Sequence, residues 1–251
     1  MAGSHDTGAP AGWVPPSAER VFAAIDATWA PAEIREADGW RLRRGAGGGQ
    51  RVSCASAWPV GSIPQIAAAE AAMARWNQPP LFRLGDEPAL DAALSAQGYR
   101  VVDPVAIYAA PVATLVDRAD ETARLIRVST RLAVAEEIWA EGGIGPGRLA
   151  VMARVTGPRM TLLARVGDRP VGVAFVACDG GVAMIHAIEV RPAARRQGAG
   201  ARLMRGAARW AAEVGADTLA LAVTKSNGPA CALYRGLGMV VAACYHYRAR
   251  G

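Results

Sequence analysis

The order strand, strand, helix, strand, helix, strand reads twice along the chain, and this repetition constrains the fold more than any single motif. In the first pass, strand-like runs at residues 39–44 and 51–58 flank a glycine-rich turn at 45–49. An Ala-rich stretch at 63–76 has the composition of a helix and stops at Asn77 and Pro79. A short strand at 80–84, a helix at 88–97 closed by Gly98, and a strand at 100–110 complete it. The second pass opens near Glu121, with a strand at 122–128 and helices at 132–141 and 146–155. Strands at 160–166 and 170–178 meet across Gly167-Asp168, a strong turn signal. A strand at 182–190 leads through a glycine turn into a helix at 198–214. Its apolar Leu203, Met204, Ala207, Trp210 and Ala211 recur at helical spacing. A strand at 218–223, a helix at 228–237 ended by Gly238, and a strand at 239–248 follow. The expected division is a Gly-, Pro- and Ala-rich flexible N-terminus over 1–16, a first half over 17–115 and a second over 121–251.

A chain of 251 residues with 52% hydrophobic and 20% charged residues has the balance of a folded protein. No apolar run approaches the roughly 18–20 residues of a membrane span. No basic stretch followed by an apolar one opens the chain, so no membrane association, no secretion signal and a cytoplasmic location are expected. Cys54, Cys178, Cys231 and Cys244 are scattered without paired spacing. They read as small core residues, with neither metal nor disulfide expected. The net charge of +6 is mostly arginine. Lysine-rich runs and aromatic-basic interleaving are missing, so nucleic acid is not the expected partner, and an anionic small ligand accounts for part of the excess equally well.

After the strand ending at Val190, Pro192 stops the strand and Gly198 and Gly200 open the next helix. Glycines let successive backbone N–H groups converge, and the helix dipole adds partial positive charge at that end. Arg195 and Arg196 supply guanidinium groups suited to phosphate oxygens. Together these parts make a pyrophosphate site. The turn lacks the Gly-Lys-Ser/Thr of a Walker A loop and the Gly-x-Gly-x-x-Gly of a dinucleotide fingerprint.

Arg195-x-x-Gly198-x-Gly200, followed by Asn227, Ala230, Leu233-Tyr234 and Leu237-Gly238-Met239, resembles the GNAT superfamily of acyl-CoA N-acyltransferases over residues 121–248. Gly39-Trp40-Arg41-Leu42-Arg43 is similar to the degenerate N-terminal half of tandem GNAT proteins. The resemblance implies an α/β (α+β) fold: a mixed, mostly antiparallel sheet with helices on both faces, duplicated. It implies an acetyl-CoA-dependent N-acetyltransferase acting by direct attack of a small-molecule or peptide amine in a ternary complex. Paired halves are compatible with a self-sufficient monomer or a homodimer. The alternative is a catalytically inactive acyl-CoA-binding sensor.

By this resemblance, the backbone of Ile188, Glu189 and Val190 holds the pantetheine arm, and Arg195, Arg196, Gln197, Gly198, Ala199, Gly200 and Ala201 hold the pyrophosphate. Asn227 touches the cofactor arm, and Tyr234 protonates the departing thiolate. The run Ile185-His186-Ala187-Ile188-Glu189-Val190 is similar to that of arylalkylamine N-acetyltransferases, which place a proposed basic histidine at His186. Strand alternation puts His186 on the face of Ile188 and Glu189 on the other, unless a bulge intervenes. A buried structural role for His186 and simple packing for Tyr234 are the competing readings. Glu136, Glu137, Trp139 and Glu141 fall where GNAT proteins build the acceptor pocket.

Overall fold

The computed structural model describes residues 12–116, 125–130 and 132–250. Most of the expected flexible start, and residues 122–124 of the strand expected at 122–128, lie outside these.

Ser17 caps the first helix, α1 (Ala18–Thr28), by accepting from the Arg20 N–H, and Val21, Ala24, Ile25 and Thr28 form its buried stripe. Next come β1 (Glu33–Ala37), β2 (Trp40–Arg44), β3 (Ala55–Ala57), α2 (Ile66–Ala74), β4 (Leu81–Leu84), α3 (Pro88–Ala96) and β5 (Arg100–Pro111). The short α4 (Val112–Leu115) ends this half. The second half holds β6 (Leu125–Val128), α5 (Ala133–Glu141), α6 (Pro146–Arg154), β7 (Arg159–Val166), β8 (Arg169–Asp179) and β9 (Val182–Val190). It closes with α7 (Ala199–Glu213), β10 (Thr218–Thr224), α8 (Gly228–Gly236) and β11 (Val240–Ala249). The expected elements from 63 onward form close to their expected limits. Helices α1 and α4 and strand β1 are additions.

All the strands join one 11-stranded sheet in the order β1-β2-β3-β4-β11-β5-β10-β9-β8-β7-β6. Among the described strands only β3–β4 and β9–β10 run parallel, and each of these pairs is bridged by a crossover helix, α2 or α7. The duplicated, mostly antiparallel fold is therefore present. Its two halves exchange their last strands: β5 lies between β10 and β11, and β11 lies between β4 and β5.

Helices cover both faces. On one face α7 and α8 bury Leu203, Met204, Ala207, Trp210 and Tyr234 against Leu162, Ala174, Ile185 and Leu221. On the other, α1 crosses from the first half onto Val182, Met184 and Ala220 of the second. Beside α1, α5 and α6 pack Ile138, Trp139 and Val151 against Phe175 and Val173. Cys54, Cys178 and Cys231 are buried as expected, whereas Cys244 is exposed, alternating along β11 with buried Tyr245. No helix among the described residues is long and apolar enough to cross a membrane.

Candidate active site

The central feature is a parting of two strands. β9 and β10 pair only at Val182↔Thr218, Ala183↔Leu219 and Met184↔Ala220, although they continue to Val190 and Thr224. β10 follows its other neighbour, β5, over its whole length, from Thr218↔Pro111 to Thr224↔Val105. Among the described residues no strand therefore lies opposite the backbone edge of β9 beyond Met184 on that side, and an extended amide-bearing chain fits such an edge.

A bulge reshapes the same stretch. β9 pairs with β8 at His186↔Phe175 and again at Glu189↔Val173, so two β9 residues face one on β8. Ala187 takes φ of 50°, and the Trp139 indole N–H donates to its carbonyl at 2.8 Å. The slip changes which side chains share a face. Ile188 and Val190 pack with the α7 side, whereas Glu189 and His186 both lie on the α1/α5 side. The plain alternation that pairs His186 with Ile188 therefore fails, and the bulge is the cause.

His186 is buried, and Thr28 explains its tautomer. The Thr28 hydroxyl donates to the Ala24 carbonyl at 2.5 Å, so at 2.9 Å it accepts from the Nε2–H of His186. Nδ1 is left bare, 3.4 Å from Nη1 of Arg51. Burial first, and the Arg51 charge second, hold the imidazole well below its ordinary pKa. Glu189 is half-buried, and a β-carbon on Gly142 would overlap its carboxyl group. Burial pushes this carboxyl up, while Arg195 and Arg148 pull it partly back.

At the far end of β9, a 3-10 turn (Pro192–Ala194) leads to α7. Arg196 has φ of 64° and Gly198 φ of 79°, so the chain passes through two left-handed residues before the helix starts. Arg195, Arg196, Gln197 and Gly198 are exposed, and Nε of Arg195 donates to the Val190 carbonyl at 3.2 Å. Leu233 of α8 packs against Gly200, where a β-carbon would lie 3.1 Å away, which seats α8 beside the α7 N-terminus. Tyr234 follows on α8, buried with its ring 5.7 Å from that of Tyr108. Burial first, and the nearby Cys231 second, push its phenol up to about 12.

A glycine-opened helix start thus stands beside a parted parallel pair of strands. Residues 131–239 match the sequence model of the Acetyltransferase (GNAT) family. This segment is a GNAT domain. A GCN5-related N-acetyltransferase from Kribbella flavida has the same fold, with a TM-score of 0.70 at 21% identity over 92% of this chain and 94% of that one. A functionally unknown conserved protein from Staphylococcus epidermidis superposes with a TM-score of 0.67 at 12% identity, over 90% and 96%. A tandem GNAT protein from the clavulanic acid biosynthesis pathway gives 0.57 at 15%, over 96% and 89%. No curated protein sequence matches the chain. The GNAT domain at 131–239 supports an acyl-transfer function.

Within this GNAT frame, the turn from Arg195 to Ala201 and the β9 edge at Ile188, Glu189 and Val190 lie on one continuous path. Asn227 caps α8, its Oδ1 accepting from the Ala230 N–H at 3.2 Å. Glu137 and Glu141 pair with Arg191, at 3.4 and 2.8 Å, on the outer side of α5. His246 binds Asp91 at 2.7 Å, far along β11, and His5 lies outside the described residues. Among the described residues, no cluster of His, Cys, Asp or Glu is arranged for a metal. Arg51, Thr28 and Trp29 of the first half also reach His186, a convergence no local motif announces.

Proposed function

We propose that the chain is an N-acetyltransferase that moves the acetyl group of acetyl-CoA to a primary amine by direct attack in a ternary complex. The parting of β9 from β10 carries this reading, because the α7 N-terminus lies at its outer end and Tyr234 follows on the helix packed against that terminus. Arg195, Arg196, Gln197, Gly198, Ala199, Gly200 and Ala201 would hold the pyrophosphate, with Asn227 on the adjoining helix start. The pantetheine arm would lie along Ile188, Glu189 and Val190.

An alkylamine with a pKa of roughly 10.4 is mostly protonated at neutral pH and must reach the site as the free base. As its nitrogen bonds to the thioester carbon, the surplus N–H proton passes to a base, the C–S bond breaks, and the sulfur takes a proton from Tyr234. The products are an amide and the CoA thiol. Burial keeps Tyr234 in its neutral, donating form. Glu189 suits the base better than His186: its carboxyl is half-buried and shifted toward neutrality, whereas both ring nitrogens of His186 already face Thr28 and Arg51.

Thiol release from acetyl-CoA across a panel of primary amines tests the proposal, with thermal unfolding as the binding control. Amine-dependent release and a raised midpoint are expected. A raised midpoint without release for any amine would leave a binding module instead.

A further inference from the structure

We infer that the two halves jointly build the acceptor pocket, and that it takes a small primary amine bearing a carboxylate, which the buried guanidinium of Arg51 holds. This rests on the amine-acetylating reading above.

A cavity of about 220 Å3 lies at the parting of the strands, where Ala187 of β9 and Thr224 of β10 both line it. It is on the α1/α5 side of the sheet, opposite α7, so a molecule in it meets the cleft from the face away from the pyrophosphate turn. The first half supplies Gln50 and Arg51 from the loop after β2, and the second supplies Ile144 and Arg148 from the α5–α6 region. These segments are closely docked. A β-carbon on Gly147 would overlap the Gly47 carbonyl oxygen, and one on Gly48 would overlap Val151. Neither half closes the cavity alone.

The chemistry of the lining selects the ligand. Nε of Arg51 is buried without a hydrogen-bond partner; the rest of the guanidinium meets neutral groups, the Tyr245 hydroxyl and, at 3.4 Å from Nη1, Nδ1 of His186. Among the described residues no carboxylate pairs with this guanidinium. A buried cation without a counter-charge is costly, and a carboxylate can meet a guanidinium with two parallel hydrogen bonds. Arg148 adds a second cation at the lining and Asp103 one anion, which leaves a single net positive charge. That balance matches a monoanionic carboxylate better than a dianionic phosphate. The volume falls below the ~300–1,000 Å3 of pockets for drug-sized ligands, so the acceptor is small. With its carboxylate on Arg51, the amine end is directed toward Ala187 and the Glu189 side of the bulge.

The test compares matched amines: glycine with methylamine, alanine with ethylamine, leucine with isopentylamine, and phosphoethanolamine as the phosphate arm. Thiol release should favour the carboxylated member of at least one pair by tenfold or more in kcat/KM. In Arg148→Gln, an exposed position that should not disturb folding, this preference should shrink severalfold through KM. Arg51→Lys should shrink it further, because an ammonium cannot make the bidentate contact. Unfolding midpoints with the amines alone read the pocket independently of acetyl-CoA, and only the carboxylated members should raise them. Equal use of both members of every pair, or preference for phosphoethanolamine, would overturn the inference and leave acetyl transfer standing. Absent acetyl-CoA binding would instead sink the acetyltransferase reading, with the midpoints still judging the pocket.

Discussion

The Trp139 indole N–H donates to the Ala187 carbonyl at 2.8 Å, and this bond ties α5 to the bulge that turns Glu189 onto the α1/α5 side of the sheet. Trp139→Phe keeps most of the buried ring and leaves that carbonyl without its partner. Such a loss costs about 1–3 kcal/mol. A lower chemical-denaturation midpoint is expected, with a larger fall in kcat than in acetyl-CoA affinity. Unchanged kcat in a destabilised variant would separate the bulge from catalysis.

The proposed base, Glu189, would act only when deprotonated, and its carboxyl is raised by burial. The acidic limb of kcat/KM should therefore lie above the ordinary carboxylate range, with activity rising as pH rises through it. Arg148 pulls this carboxyl down, so Arg148→Gln should move the limb to higher pH. Glu189→Gln should lower kcat by about 10²-fold or more. His186→Asn offers the contrast: a limb that disappears there, but persists in Glu189→Gln, would transfer the base to the histidine.

Tyr234→Phe removes the proposed proton donor and little else, since the ring packs beside Tyr108. A fall in kcat of about 10²-fold is expected, within the usual range for a general acid. Calorimetry should find acetyl-CoA affinity nearly unchanged. Equal turnover would reduce Tyr234 to a packing residue.

Gly147→Ala places a β-carbon where the Gly47 carbonyl lies, and backbone cannot swing aside as a side chain can. Overpacking of this kind costs about 1–3 kcal/mol. Thermal unfolding should register it, together with a raised KM for the amine, because the displaced loop carries Arg51.

Asp26 accepts from Nε and Nη2 of Arg43 at 2.8 and 2.6 Å, and Arg83 lies 3.6 Å away. Burial pushes the Asp26 carboxyl up, but Arg83 and Arg43 more than offset it and hold the group below its ordinary value. A depressed carboxyl contributes stability above its unfolded pKa of roughly 3.9, lost as pH falls through the folded value. Asp26→Asn leaves two buried guanidinium groups without their anion and should cost about 3–5 kcal/mol. The acid loss of stability should flatten in the variant, as urea titrations at several pH values would show.

Much of the candidate site was legible in order along the chain. Gly198 and Gly200 stand out because a strand must turn into a helix there, and Tyr234 falls on the helix after β10. Helix α1 carried a readable signal in Ser17 and the spacing of Val21, Ala24, Ile25 and Thr28. β1 carried none, since Glu33–Ala37 is almost wholly exposed and lacks alternation.

By itself the sequence determined most of the helices and strands, their duplicated succession and the glycine turn before α7, because hydrophobic period, caps and glycines act over a few residues. Only the tertiary structure decided that β5 and β11 change places, that a bulge at Ala187 reverses the faces of Ile188 and Glu189, and that Arg51 arrives beside His186 across 135 positions of chain. A strand's alternation specifies two faces but no neighbour. Neighbours are chosen by burial and hydrogen bonding summed over the whole sheet.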